Sequence, residues 1–314
     1  MVKKQSGASE NALTNNIQWM ISTYNLGSSQ SPQQKAPEVV KPTFQVYKPN
    51  SDKYFFDKQD WLIPLSKIKS FFEAKEIFKT EDQIKLKNLI EEKKLHRSSS
   101  DEKIQLGRMV LDNAPLDDCN NLLAFLDYLR LLVLEEDGSK FISENFDGLF
   151  AELMMKFFVE NDIPEDQNPK AVRIITWRVL SNMTKFKTGS NFLHENIDTI
   201  TLAAIEAMSN LAKESSLMGA IAITWNNMLF EEEQGDMDQG QKEELVVKLS
   251  ELLSINDNEK TRAAILNVCC HLIAENKELV DVVNHNQPNL CTHLDALKFS
   301  TNKAIKGLSA DLWN

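Results

Sequence analysis

Residues 121–134, Asn-Leu-Leu-Ala-Phe-Leu-Asp-Tyr-Leu-Arg-Leu-Leu-Val-Leu, contain neither glycine nor proline and are apolar on nearly every helical face. A helix that is apolar all round is a buried helix. Its one cation, Arg130, must therefore reach an edge, a partner or a groove, because an unpaired buried charge is very costly. The pattern recurs at a spacing of 48. Ile174-Ile175-Thr176-Trp177-Arg178-Val179-Leu180 places Arg178 at 130 + 48, and Ile223-Thr224-Trp225-Asn226-Asn227-Met228-Leu229 places Asn226 at 178 + 48. Three apolar helices with a polar residue at one phase imply a repeat, and the polar row is the candidate binding face.

Helical periodicity fills most of the remaining chain. Asn11–Asn25 carries enough apolar residues for one short amphipathic helix, and Gly27–Gln34 has linker composition. Phe44–Tyr54 mixes aromatics with prolines and reads as extended chain. Order begins near Tyr54, with Asp60 as a candidate N-cap or Pro64 as a first helical residue of the helix carrying Ile68, Phe71 and Phe72. Thr80, with Asp82 and Gln83 close behind, opens a second helix over about 80–94 in the manner of a capping box. His96–Glu102 is a turn ending in an N-cap, with phosphorylation of its serines as the alternative. Helices follow near 102–111, 118–134, 138–159, 169–185, 196–213, 216–231, 240–255, 259–274, 277–284, 289–297 and 301–309, with Gly189 as a separator. Residues 1–41 are expected to be a flexible arm and 42–314 one all-α domain. Helix pairs recurring every 45–48 residues have the armadillo/HEAT length, which implies a solenoid with a concave peptide-binding groove.

Composition narrows the function. With 46 acidic against 35 basic residues the formal charge is −11, which argues against nucleic acid and anionic membrane as main partners. Four cysteines (Cys119, Cys269, Cys270, Cys291) in 314 residues make no disulfide framework and favour a reducing cytoplasmic or nuclear setting. The first residues lack the apolar core of a signal peptide, and no apolar run is long enough to span a bilayer.

No catalytic constellation assembles. Gly-x-Ser-x-Gly, a phosphate-cradling glycine loop and His-Glu-x-x-His are all missing, so no enzyme and no cofactor are expected. Cys269, Cys270, His285, Cys291 and His293 match no zinc spacing. The acidic loop 231–240 fails the EF-hand pattern, its glycine and twelfth position being wrong. Asn182-Met183-Thr184 has the glycosylation sequence but lies in a buried-looking helix. What the pattern does offer is peptide recognition. Guanidiniums in a half-dry groove pair with carboxylates and stack on rings, and side-chain amides at Asn182, Asn227 and Asn226 would clamp an extended backbone. Trp177 and Trp225 are candidates for an aromatic wall, with core packing as their alternative. A salt bridge between repeats, to Asp127 or Glu206, is the structural alternative for the arginines.

Four segments in order resemble one known family. These are Tyr54-Phe55-Phe56-Asp57 running into Leu65–Phe71, the arginine-bearing helix Phe125–Val133, Arg178-Val179-Leu180-Ser181-Asn182, and Thr261-Arg262-Ala263-Ala264-Ile265-Leu266. Together they resemble the PUL domain of the phospholipase-activating-protein and fungal ubiquitin-homeostasis proteins, over about 42–310. The resemblance implies a six-repeat armadillo-like solenoid without catalytic activity. It also implies a groove that receives the acidic, aromatic C-terminal tail of a valosin-containing-protein-type AAA+ ATPase. Arg130 and Arg262 match the groove arginines, and Arg178 is a further candidate. The partners expected are that tail and ubiquitin-pathway components. Full-length members of the family carry a WD40 propeller and a ubiquitin-binding module ahead of this domain, and neither is visible in this sequence. The competing expectation is a general armadillo-type scaffold whose interaction surface lies elsewhere, its groove covered by residues 1–40.

Overall fold

The computed structural model describes residues 53–58, 60–161, 163–229, 237–255, 258–275 and 279. The arm 1–41, the helices expected beyond 276, and Cys291, His285 and His293 lie outside the described residues, as does most of the acidic loop 231–240. Among the described residues there is no strand, and twelve α-helices follow one another. They are α1 Leu62–Ala74, α2 Glu81–Glu91, α3 Ser100–Asp112, α4 Cys119–Leu132, α5 Glu136–Asn145, α6 Asp147–Met154, α7 Pro169–Met183, α8 Lys187–Glu195, α9 Ile197–Asn210, α10 Ser215–Leu229, α11 Gln239–Ile255 and α12 Glu259–Glu275.

The starts are chemically specified. Thr80 accepts from the Gln83 backbone N–H while Gln83 reaches back to the Thr80 N–H, and Ser99 and Glu102 repeat this reciprocal box for α3. The serine-rich loop thus ends in an N-cap. Asp118 caps α4 through the Asn121 N–H at 3.1 Å. Pro169 takes the first position of α7 behind Asn168, whose φ of 60° is the left-handed conformation asparagine tolerates. Asp60 accepts from the Leu62 N–H at 3.0 Å, so Pro64 falls inside the first turn of α1.

Packing arranges the helices in rows. Helices α1, α4, α7, α10 and α12 each lie against the next and form an inner row. Behind it α3, α5 and α8 form a second row, and α6, α9 and α11 an outer one. This is a helical-repeat solenoid, and one continuous apolar core runs through it. Trp177 and Trp225 have 0 % exposure and belong to that core, Trp177 edge-on to Phe158 with ring centroids 5.9 Å apart. The expected aromatic wall is therefore corrected: on α7 and α10 these indoles point away from the polar face, and each row buries them against the next.

Two sequence expectations change. The single helix at 138–159 is split at the buried Phe146, and α6 ends in a π-helical turn, Met155–Val159, closed by the Glu160 N–H on the Met155 carbonyl at 2.8 Å. Gly189 is not a separator but lies inside α8. A Cβ there would stand 2.2 Å from the Met183 carbonyl oxygen, and one at Gly138 would stand 2.2 Å from the Leu132 carbonyl oxygen. Both glycines let a second-row helix start directly over the last turn of an inner one. They also fix the register of these two repeats at 189 − 138 = 51, equal to 183 − 132. The equivalent of Arg130 is then Ser181 (130 + 51), with Arg178 nearly one turn before it.

Candidate functional site

Where α4, α7 and α10 pack side by side, each presents a polar residue: Arg130, Ser181 and Asn227. Asn182 stands beside Ser181. Bonds between neighbouring helices hold this row in place. Asn182 Nδ2 donates to the Arg130 carbonyl at 3.0 Å, and Asn227 Nδ2 donates to Ser181 Oγ at 3.1 Å. One helix further, Asn267 Nδ2 donates to Asn226 Oδ1, so Asn226 serves the helix-to-helix contact rather than the open face. Thr224 makes a comparable tie, its hydroxyl 3.0 Å from the Trp177 carbonyl.

An extended segment of the same chain, residues 53–58, lies across these ends. Asn227 accepts from the Tyr54 N–H at 3.0 Å and donates to the Tyr54 carbonyl at 2.9 Å. Asn182 treats the residue two positions on identically, accepting from the Phe56 N–H at 2.8 Å and donating to its carbonyl at 3.2 Å. A side-chain amide that accepts from the N–H and donates to the C=O of one residue reads backbone rather than side chain. Taking every second residue suits the two-residue period of extended chain. Ser181 Oγ adds a bond to the Tyr54 carbonyl at 3.2 Å, and Lys53 Nζ donates to the Thr184 carbonyl at 2.6 Å.

Arg130 completes the clamp. Its guanidinium donates to the Phe56 carbonyl and, at 3.3 Å, to the Lys58 carbonyl, while Nε bonds Asp127 at 2.7 Å. Only 7 % exposed, Arg130 is fully engaged by the chain itself and is paired with the acid that the structural alternative named. Arg178 is placed differently. Its guanidinium carbon sits 5.0 Å from the centroid of the Phe56 ring, a cation–π arrangement. Its Nε is buried with no hydrogen-bond partner, and no carboxylate lies within ion-pair distance of it among the described residues. Burial, and then the neighbouring Arg130 charge, hold Arg178 below its ordinary basicity, with the Asp127 charge opposing them to a lesser extent. Arg262 is half-buried in the first turn of α12.

The strap is held in near balance. Eight hydrogen bonds at about 1 kcal/mol each give roughly 8 kcal/mol. Ordering six residues costs about 6–12 kcal/mol of backbone entropy. The Phe56 stack and partial burial of its ring then decide the outcome, with Tyr54 left 48 % exposed.

Among the described residues no three potential metal ligands cluster, and burial pushes the Cys269 thiol up to about 12. The Cys119 thiol is also raised by burial. No described helix is long and apolar enough to cross a membrane. Asn182 is fully buried under the strap, out of reach of a glycan.

The PUL-domain family model matches residues 55–298, most of the chain. The chain belongs to the PUL-domain family. No curated protein matches it. PUL domains are helical protein-interaction domains, in keeping with a site made of backbone clamps and a stacked guanidinium. In this PUL domain two features escaped the sequence reading. One is the occupant of the clamp, Tyr54–Lys58, whose signal was the alternation of Tyr54 and Phe56 within an otherwise extended stretch. The other is Arg173, 1 % exposed, whose Nε donates to the Phe157 carbonyl at 3.0 Å, whose Nη2 donates to Asn161 Oδ1, and whose Nη1 faces Glu214 at 3.6 Å. It stitches the π turn to α7 and the loop ahead of α10, and nothing about it reaches the clamp.

Proposed function

We propose that this chain is a non-catalytic adaptor whose inner helix row receives the acidic, aromatic C-terminal tail of a valosin-containing-protein-type AAA+ ATPase in ubiquitin-dependent protein turnover. The observation that carries the reading is Arg178: a half-buried guanidinium, stacked on an aromatic ring and with no ion-pair carboxylate among the described residues, beside two asparagines that hold extended backbone. An aromatic ring followed by a carboxylate is the ligand chemistry such a guanidinium satisfies. With the molecule acidic overall, attraction must come from this local cluster, so affinity should fall as salt is added.

Isothermal titration of the purified chain with the ATPase's C-terminal peptide tests the reading. Charge-assisted hydrogen bonds are worth about 1.5–3 kcal/mol each. Arg178→Ala combined with Arg262→Ala should therefore weaken the peptide at least about ten-fold while helicity stays unchanged. Undiminished affinity in that variant contradicts the assignment.

A further inference from the structure

We propose that residues 53–58 are an intrasteric ligand, a built-in competitor that occupies the clamp of Asn182, Asn227 and Arg130 and must leave before that clamp takes another chain. The inference deepens the proposed function and rests on it for the identity of the displacing peptide.

Three observations carry it. The bonds from Asn182 and Asn227 go to backbone N–H and carbonyl groups, which any extended peptide possesses, so strap and incoming ligand want the same atoms. Both asparagines are completely buried beneath the strap, so a second chain cannot reach them while it is in place. The segment Tyr54-Phe55-Phe56-Asp57 is itself aromatic and ends in an acid, the same class of sequence the groove is proposed to bind. Phe56 fills the place over Arg178 that an incoming ring would take. The strap is open on its outer side: Tyr54, Asp57 and Lys58 are exposed, and among the described residues the amides of Phe55 and Asp57 meet no acceptor.

The test uses the full chain and two synthetic peptides, one with the ATPase tail sequence and one copying residues 50–60. Tyr54→Pro with Phe56→Pro removes both clamped N–H donors without altering the groove. The proposal expects the self-peptide to bind this variant and not the unmodified chain, and the tail peptide to bind the variant at least about ten-fold more tightly. Self-peptide binding without tail binding would leave the competitor in place and overturn the ATPase assignment alone. Equal or weaker tail affinity in the variant overturns the competitor, since the strap would then be neutral or part of the receptor. Should the double proline fail to fold, amide exchange in the unmodified chain decides. Saturating tail peptide must speed exchange at Tyr54 and Phe56, and unchanged or slower exchange overturns the proposal.

Discussion

A chain carrying Arg130→Glu is expected to be destabilised by about 3–5 kcal/mol, the cost of an uncompensated buried charge. The new carboxylate would sit at a site with 7 % exposure, beside the Asp127 carboxylate that now accepts from Arg130 Nε, and beneath the carbonyls of Phe56 and Lys58. The three partners are all acceptors and repel it, and the neighbouring Arg178 guanidinium offsets only part of that cost. Arg130→Met removes the same bonds without burying a charge and should cost about 1–3 kcal/mol, chiefly for the carbonyls left unpaired. Urea denaturation followed by circular dichroism separates the two. Equal stability of Arg130→Glu and the unmodified chain would mean that the guanidinium is in solvent, not under the strap. The same geometry explains why Arg130 is a poor probe of ligand binding: its loss would release the strap and weaken the fold together.

Gly189→Val should cost about 1–3 kcal/mol or more, as overpacking does when the obstacle cannot move. The obstacle here is backbone, since an added Cβ would stand 2.2 Å from the Met183 carbonyl oxygen. Only a separation of α8 from the end of α7 relieves that contact, and the end of α7 carries Ser181 and Asn182. Gly189→Val should therefore loosen the strap as well as lower the melting temperature. Gly148→Ala is the control, because nothing lies within 4 Å of the added methyl. Alanine is favoured over glycine within a helix by about 1 kcal/mol, so Gly148→Ala should be neutral or slightly stabilising. A Gly189→Val chain as stable as that control would contradict the close approach.

The amphipathic and all-apolar stretches made the helices and their repeat legible from the residues alone. So did the reciprocal caps at Thr80 and Ser99 and the proline opening α7. Register was harder. The 48-residue echo of Arg130 in Arg178 is real in the sequence, yet the structural equivalent of Arg130 is Ser181, because two glycines that permit backbone contact set the spacing at 51. Periodicity reports which face is apolar, whereas close backbone approach between rows is decided by single residues that carry no periodic signal. The same limitation placed Gly189 between helices. The tryptophans stood open between wall and core, because a large amphipathic ring suits both until the packing of the next row is known, and the core reading is the one the structure bears out. That Asn182 and Asn227 could hold extended backbone was legible, but not that residues 54 and 56 of the same chain lie there, since pairing across 126 and 173 residues leaves no local trace, and Asn226 faces the next helix instead.

Residue-resolved amide hydrogen exchange on the unliganded full chain tests the central claim most directly. The account predicts alternation in the strap. Tyr54 and Phe56 should be protected through Asn227 and Asn182, Phe55 and Asp57 should exchange at nearly open-chain rates, and Asn182→Ala should abolish protection at Phe56 first. Uniformly fast exchange from 53 to 58, or protection that survives the loss of both asparagines, would contradict it.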